Sequence, residues 1–447
     1  MYSKIKQYIL LDFHLIELMK GISISLTIRI FGVGTGYLFT FLIAKYYGAS
    51  VMGSFALSQT ILMITVIMAK LGLDTASVRF ISEHYSKKNY ITLKVIYFMI
   101  LKMVIPLSII LSIGLYIISP FLANLMHKPD MEGLFKVTSI GVLPLSLLFI
   151  HSESFRGMKK ILIYSLFRNM TTQLVGSIIL LIFFYFDFKM KIIPLYAYLI
   201  SICILSFIAA IIWKFQFREL SLKANNSRIK FRNLLKVSFP MLMTSSMAYI
   251  INWVGVFILG IYNSESDIGV YNIAMKLSML TNISLFAVNS IAAPKFAELF
   301  ANKNMIGFNQ TVYQSSKLIF FTTIPIILIL LIFPTYLLGI FGDEYEKGKW
   351  VLIFLTIGQF INSISGSTGY ILQMTGYQKI FQNIIFFSAV INIFMNIILV
   401  PSLGIFGASI SSMICIIIWN FLSVFIIYKK FNIITVYFPN FISRKFV

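Results

Sequence analysis

The chain has 447 residues, of which 59% are apolar, 16% aromatic and 12% charged. Soluble domains carry about 25% charged residues, so this composition excludes a soluble enzyme, a disordered chain and a secreted disulfide scaffold. The 37 Lys and Arg against 15 Asp and Glu leave a formal charge of +22; these basic residues sit mostly in short gaps between apolar runs, which reads as membrane topology and not as a nucleic-acid surface.

The first segment, 1–21, carries Lys4 and Lys6, and its apolar run is interrupted by Asp12, His14 and Glu17. It has no small-residue cleavage site and reads as an amphipathic helix lying at the membrane surface. Spanning a bilayer takes about 20 mostly apolar residues. Such runs fall at 21–44, 53–74, 97–120, 134–154, 161–184 and 192–213, and again at 237–261, 269–292, 317–338, 350–373, 380–400 and 404–428. The expectation is an all-α polytopic membrane protein with twelve transmembrane helices, the last two split only by the turn Pro401–Gly404. Cys203 and Cys415 each lie inside an apolar run, where a thiol behaves as a small hydrophobe. His14, His84, His127 and His151 make no metal spacing, and no metal or other cofactor is expected.

With the N-terminus inside, the cytoplasmic segments hold 25 basic residues and the outer gaps hold 7: Lys45, Lys128, Lys136, Lys189, Lys191, Lys347 and Lys349. That asymmetry puts both termini in the cytoplasm.

The chain also repeats itself. Lys20 precedes Gly53 by 33 residues, and Lys236 precedes Gly269 by the same 33. Phe55 answers Tyr271, and Tyr46 answers Tyr262. The inner loop Arg79-Phe80…Glu83…Lys88-Asn89 matches Lys295-Phe296…Glu298…Lys303-Asn304, and Gly157-Met158-Lys159-Lys160 matches Gly376-Tyr377-Gln378-Lys379. Six spans in each half give the halves one orientation, the parallel-repeat arrangement of many secondary transporters. The expected organisation is a six-helix bundle over 1–214, a basic cytoplasmic linker over 215–236 and a second six-helix bundle over 237–447. Two bundles on a linker suit alternating access, hence transport and not catalysis.

Ionisable side chains at membrane depth cost about 2.5–3.5 kcal/mol each on insertion scales, so each is a functional candidate. They are Arg29, Lys70, Asp74, Lys102, Arg168 and Lys276. Five cations to one acid favour an anionic ligand. Arg29 lies about 12 Å into its span at 1.5 Å per residue, with Ser25, Gly32 and Gly36 on its helix face. Arg168 sits on the polar stripe Ser165–Arg168–Thr172. Lys276 is repeat-related to Thr60, so its charge is not needed merely to build the fold. For each of these three the bland alternative is snorkelling to headgroups. Lys70 and Asp74 are spaced to pair with each other, either as a structural pair or as an ion-coupling site. Lys102 reads as snorkelling. Asn282 with Asn289, and Asn392 with Asn396, share helix faces suited to interhelical hydrogen bonds or to sugar hydroxyls. The stretch Gly32-Val33-Gly34-Thr35-Gly36 imitates a dinucleotide loop, but inside an apolar span it is a close-packing motif. Gly342…Gly348-Lys349-Trp350 imitates a phosphate loop with the wrong spacing and with Trp350 where Ser or Thr is needed. No other stretch suits a nucleotide, which argues against direct ATP-driven pumping.

The opening Lys20-Gly21 followed by Arg29 and its glycines, the turn Tyr47-Gly48-Ala49-Ser50-Val51-Met52-Gly53 leading into Phe55-Ala56, then Leu71-Gly72-Leu73-Asp74, Arg79-Phe80-Ile81 and Phe155-Arg156-Gly157-Met158-Lys159 together resemble the Wzx-type O-antigen and lipid-linked oligosaccharide flippases. These belong to the multidrug/oligosaccharidyl-lipid/polysaccharide exporter (MOP) superfamily, and the likeness covers nearly the whole chain. The resemblance implies a two-lobed, MATE-like carrier in the bacterial inner membrane. Such a carrier moves an undecaprenyl-diphosphate-linked glycan to the outer leaflet for O-antigen, lipopolysaccharide or other surface polysaccharide synthesis. It further implies a cationic lumen, a role that Arg29, Arg168 and Lys276 fit by position, and working partners such as a glycan polymerase and a chain-length protein. The rival readings are a cation-coupled multidrug exporter, which would favour an acidic lumen, and a membrane-embedded glycan polymerase or ligase, which would want acidic catalytic groups and a large outer loop.

Overall fold

The computed structural model describes the backbone of residues 2–188, 190–218 and 231–437, and side chains from residue 27 apart from residue 189 and scattered positions between 217 and 248. The side chains of segment 1–21, most of the linker 215–236, and Arg444 and Lys445 lie outside the described residues. Everything described is helical or irregular, with no strand, as a bilayer requires of a chain that satisfies its own backbone polar groups without a barrel.

In the first half of the chain the elements are α1 (Tyr2–Lys70), α2 (Leu73–Ser86), α3 (Tyr90–Leu125), α4 (Met131–Ile140), α5 (Val142–Gly157), α6 (Ile161–Ser165), α7 (Thr171–Tyr185) and α8 (Ile193–Arg218). The second half holds α9 (Phe231–Tyr262), α10 (Glu265–Ser278), α11 (Asn282–Ala301), α12 (Met305–Ile332), α13 (Pro334–Gly339), α14 (Lys349–Ile364), α15 (Thr368–Met374), α16 (Gln378–Leu403) and α17 (Ile405–Phe431). A π-helical turn, Leu166–Met170, joins α6 to α7, and a 3₁₀ turn, Met279–Thr281, joins α10 to α11.

Among the described residues eight helices are long and apolar enough to cross a membrane, or ten when each of two bent pairs counts as one span. This is consistent with the twelve expected. The run 21–44 and the run 53–74 up to Lys70 fall on α1, which is divided by a kink at Gly48 (φ 81°, ψ 176°) that only glycine adopts readily. In α9, whose first half is described only in part, the continuously described apolar stretch is Tyr249–Tyr262. The bent pairs are α4 with α5 (41°) and the 343–364 segment with α15 (43°), which are the fourth span and the tenth, six spans apart. The turn at Pro401–Gly404 is confirmed: Gly404 (φ 56°) separates α16 from α17, and Gly407 lies so close to Leu399 that a Cβ there would strike its carbonyl.

The residues divide into two compact units. One comprises 1–42, 62–121 and 132–243; the other comprises 43–61, 122–131 and 244–447. In the first unit, the glycines of the close-packing motif do what the spacing predicts. Gly32 meets the backbone of Asn169, Gly36 meets Gln173, and Phe39 meets Gly176. One constant sequence offset joins all three pairs, so this arm of α1 runs parallel to the α6–α7 span, as first and fifth spans must. Thr35 Oγ1 donates to the Met170 carbonyl at 3.3 Å, satisfying an oxygen that the π-turn displaces.

In the second unit, the repeat-related glycines Gly53 and Gly269 sit at a crossing of α1 and α10. A Cβ on Gly53 would run into the Glu265 carbonyl, and a Cβ on Gly269 into the Ala49 carbonyl. The exchange is reciprocal because Ala49 and Glu265 are themselves repeat-related. Ser50 Oγ donates to Glu265 Oε2 at 2.8 Å, and the Ala49 amide donates to Glu344. Lys128, in the turn between α3 and α4, donates to the Gly260 carbonyl. Burial pulls its pKa below the ordinary lysine value, against the partly restoring charge of Glu265.

Candidate functional site

Three breaks in helical continuity assemble the site in the first unit. α1 ends at Lys70, and Leu71 (φ 49°) and Gly72 (φ 71°) turn the chain before α2 begins. Gly72 is required twice over: a side chain there would be strained, and it would also strike the backbone of Ser238 and Leu242. The break carries Asp74 into the first turn of α2, where the helix N-terminus favours a carboxylate. Lys70 Nζ reaches back across the break and pairs with Asp74 Oδ2. The two are therefore partners, as their spacing predicts, but they span two helices instead of lying on one. Both are buried, at 4% and 8% exposure.

The second break is the π-turn Leu166–Met170, which carries Arg168. An extra residue in a helical turn re-aims its side chains, and such turns concentrate at functional positions. Arg168 Cζ lies 4.1 Å from the centre of the Phe149 ring and Lys70 Nζ lies 4.4 Å from the same ring, so one aromatic carries two cations. The third break, at Gly141 between α4 and α5, starts the helix that presents Phe149 and, one turn on, Glu153.

Glu153 was not among the residues the sequence singled out. It is 7% exposed, with Oε1 4.0 Å from Arg168 Nε and Oε2 3.4 Å from Arg156 Nη1. The charges of Glu153, Arg156, Arg168 and Arg29 all act on the Tyr164 hydroxyl, and that of Arg168 acts on Asp74 as well. Arg29 is exposed and lies on the arm of α1 that packs the π-turn through Gly32 and Gly36. The first unit thus gathers Arg29, Arg156 and Arg168 about Tyr164, with Glu153 between two of these arginines and Lys70 paired to Asp74 beside them. Four cations and two carboxylates leave a formal excess of two positive charges. The signal for Glu153 was present in the polar run His151-Ser152-Glu153-Ser154 closing an apolar span, but the expected span ended at 154 and put the glutamate at the rim. Beside it, His151 is buried and its Nδ1 lies 2.7 Å from the Tyr97 hydroxyl, and the Tyr97 ring stacks on Trp213.

Lys276 belongs to the other unit. It is partly exposed near the end of α10, one helical turn beyond Asn272. The sequence-predicted cations are thus divided: Arg29 and Arg168 share a cluster with Lys70 and Asp74, and Lys276 is held apart from it in sequence and by unit. Asn392 Nδ2 donates across to the Ser411 carbonyl on α17, whereas Asn396 Nδ2 donates to the Asn392 carbonyl within α16.

Solved structures share this architecture. An inward-facing multidrug resistance MATE family transporter of the MOP superfamily superposes with a TM-score of 0.73 at 15% identity, over 92% of this chain and 98% of that one. The lipid II flippase MurJ, in an inward closed conformation, gives 0.73 at 18% identity over 92% and 89%. The fold is therefore that of the MOP-superfamily membrane transporters. Residues 18–300 match the family described as polysaccharide biosynthesis protein, and the chain belongs to that family; residues 240–398 also match the MatE family. Among curated relatives, a probable low-salt glycan biosynthesis flippase, Agl15 of Haloferax volcanii, is 27% identical over 86% of this chain and 78% of its own length. The capsular polysaccharide biosynthesis protein CapF of Staphylococcus aureus is 21% identical over 69% and 85%.

Proposed function

We propose that this protein is a flippase that carries a lipid-linked oligosaccharide, joined to undecaprenol through a diphosphate, from the cytoplasmic to the outer leaflet of a bacterial plasma membrane. The carrying observation is the charged cluster of the first unit, buried at Lys70, Asp74 and Glu153 and solvent-reaching at its arginines, with its excess of two positive charges. A diphosphate esterified at both ends bears about two negative charges at neutral pH, and guanidinium groups take its oxygens in bidentate geometry. Membership of a polysaccharide biosynthesis family and similarity to a glycan flippase support the same reading.

In this mechanism Arg168 and Arg29 bind the diphosphate, and Lys276 is a separate substrate-binding candidate of the second unit. Asp74 and Glu153 hold the cations in the empty carrier and compete with phosphate for Arg168, so substrate release is not blocked by an unopposed positive site. The Lys70–Asp74 pair, the candidate for ion coupling, sets the charge that Arg168 feels. Prenyl carbons stay in lipid while the head group crosses, in a carrier of two six-helix bundles, 1–214 and 237–447, joined by the basic linker 215–236. The reciprocal Gly53–Gly269 crossing acts as the outer gate, and both termini face the cytoplasm. A polymerase and a chain-length protein would take the product.

The test is Arg168→Ala and Arg29→Ala in a host that depends on this gene for surface glycan. Normal membrane levels of both variants, with lipid-linked glycan accumulating on the inner leaflet, support the assignment. Unchanged surface glycan rejects it.

A further inference from the structure

The second unit holds a polar layer of different chemistry. Asn420 Nδ2 donates to the Ile416 carbonyl at 2.9 Å and to Asn362 Oδ1 at 3.2 Å. With its oxygen so engaged, Asn362 turns its Nδ2 toward Asn282 Oδ1 and Gln359 Oε1, both at 3.4 Å. Thr368 Oγ1 closes the back of the chain on Asn420 Oδ1 at 3.5 Å. The polarity of this relay is fixed at its buried end, where Asn420 faces the Ile416 carbonyl, a group that can only accept. Its consequence lies at the other end: the NH₂ groups of Asn282 and Gln359 have no acceptor among the described residues, while Asn282 and Asn362 are both half-buried. The relay is an array of oriented donors and acceptors without formal charge, ending at the half-buried Asn282 and Asn362 with Gln359, 8% exposed, beside them.

Helix geometry marks the same layer. Asn282 follows directly on the 3₁₀ turn Met279–Thr281, and Asn362 lies just before the break Ser365–Ser367, where Gly366 takes φ 73°. Asn282, Asn362 and Asn420 stand about 20–26 Å along their spans from Glu265, Lys349 and Ile405, at 1.5 Å per residue. Two spans are thus interrupted at one depth, the pattern by which transporters expose polar groups to substrate. Seven residues on from Asn282, on the same face of α11, Asn289 is 2% exposed with neither side-chain polar atom partnered among the described residues. An unmet buried amide costs about 1–3 kcal/mol, which selection tolerates where another state of the carrier or a ligand supplies the partner.

We propose that the relay Asn282–Asn362–Gln359 is the sugar-recognising subsite of the carrier. It takes hydroxyl and acetamido groups of the first sugars behind the diphosphate. The assignment rests on the flippase reading, and it concerns the amide layer of the second unit alone. Sugars offer paired hydroxyls that donate and accept at once, which an oriented amide row matches and a point charge does not.

The experiment measures binding of two probes to the purified full-length protein: undecaprenyl diphosphate without sugar, and a panel of undecaprenyl diphosphates each bearing one hexose or N-acetylhexosamine. Wild-type protein is expected to bind at least one sugar-bearing probe about tenfold tighter than the bare lipid, the scale of one or two hydrogen bonds. Asn282→Ala and Gln359→Ala, which leave the buried Asn420 end intact, should erase that difference without changing affinity for the bare lipid. Equal wild-type affinity for all probes overturns the subsite and leaves the diphosphate reading standing. Equal weakening of both probe types by the variants also overturns it, because it marks a purely structural relay. If wild-type protein binds neither probe type, subsite and flippase reading fall together.

Discussion

Replacing Glu153 by Gln removes one of two carboxylates from the cationic cluster while keeping its volume. In the wild type this carboxylate stands 4.0 Å from Arg168 and 3.4 Å from Arg156. Both arginines retain solvent, with side-chain exposures of 25% and 54%, so the loss to stability is set by the lower end of the range for broken ion pairs, about 1 kcal/mol. The effect on ligand binding has the opposite sign. The excess of positive charge rises from two to three, and one added charge about 7 Å from two phosphate charges is worth about 2–5 kcal/mol at an effective dielectric of 20–40. Screening through the exposed arginines brings this to about 1.5 kcal/mol, close to tenfold in affinity. Glu153→Gln should therefore bind an undecaprenyl-diphosphate-linked sugar about tenfold tighter than wild type and turn over more slowly, whereas Arg168→Ala should bind it more weakly. Titration calorimetry in detergent and a single-turnover flipping assay measure the two quantities. Weaker binding by Glu153→Gln would refute the idea that the carboxylate competes with substrate, and would make it a scaffold for Arg168 instead.

Gly53→Val and Gly269→Val each drive a side chain into the facing carbonyl at the crossing, and should lower thermal stability by several degrees and impair transport; two silent variants would remove the crossing from the mechanism. Lys128 has a folded pKa below its unfolded value, so the unfolded chain binds the extra proton in the window just under the ordinary lysine pKa, and stability rises with pH across that window. Melting curves of wild type and Lys128→Met between pH 8 and 10 should converge on an upward wild-type trend that the variant lacks; parallel curves would contradict the burial. The Tyr437 amide donates to the Ile364 carbonyl at the broken tenth span, and its ring packs on Tyr313, Phe320 and Phe321. Ending the chain at Phe431 should raise protease sensitivity near Ser365–Ser367, detectable by limited proteolysis and mass spectrometry, and an unchanged pattern would argue against that capping role.

Much of the architecture was legible because the bilayer enforces long apolar runs. The turn at Pro401–Gly404 and the packing of Gly32 and Gly36 followed from residue type and spacing alone. The matched positions of Gly53 and Gly269 pointed to duplication, but that they meet each other is a tertiary fact outside the reach of periodicity. Lys70 and Asp74 were readable as a pair; the helix break between them was signalled by Leu71-Gly72 and passed over because the run continues apolar through Leu73. Arg168 was found from its charge, whereas the π-turn that aims it leaves no compositional trace. Glu153 escaped because charge at the end of an expected span looks solvated, and its burial comes from the helices packed on α5, a tertiary fact. The turn signal Ser365-Gly366-Ser367 was likewise hidden inside an expected span, and with it the interruption that flanks Asn362.

Reconstitution into liposomes offers the most direct trial of the central claim, that a net-cationic cluster in the N-terminal unit carries a diphosphate-linked head group across the bilayer. Fluorescent undecaprenyl-diphosphate sugar, placed in one leaflet and quenched by an impermeant reagent from the other, reports translocation as it occurs. Wild-type protein should move the probe and Arg168→Ala should not, while a matched undecaprenyl sugar lacking the diphosphate should stay where it was placed. Equal transport by Arg168→Ala, or equal transport of the phosphate-free lipid, would contradict the account.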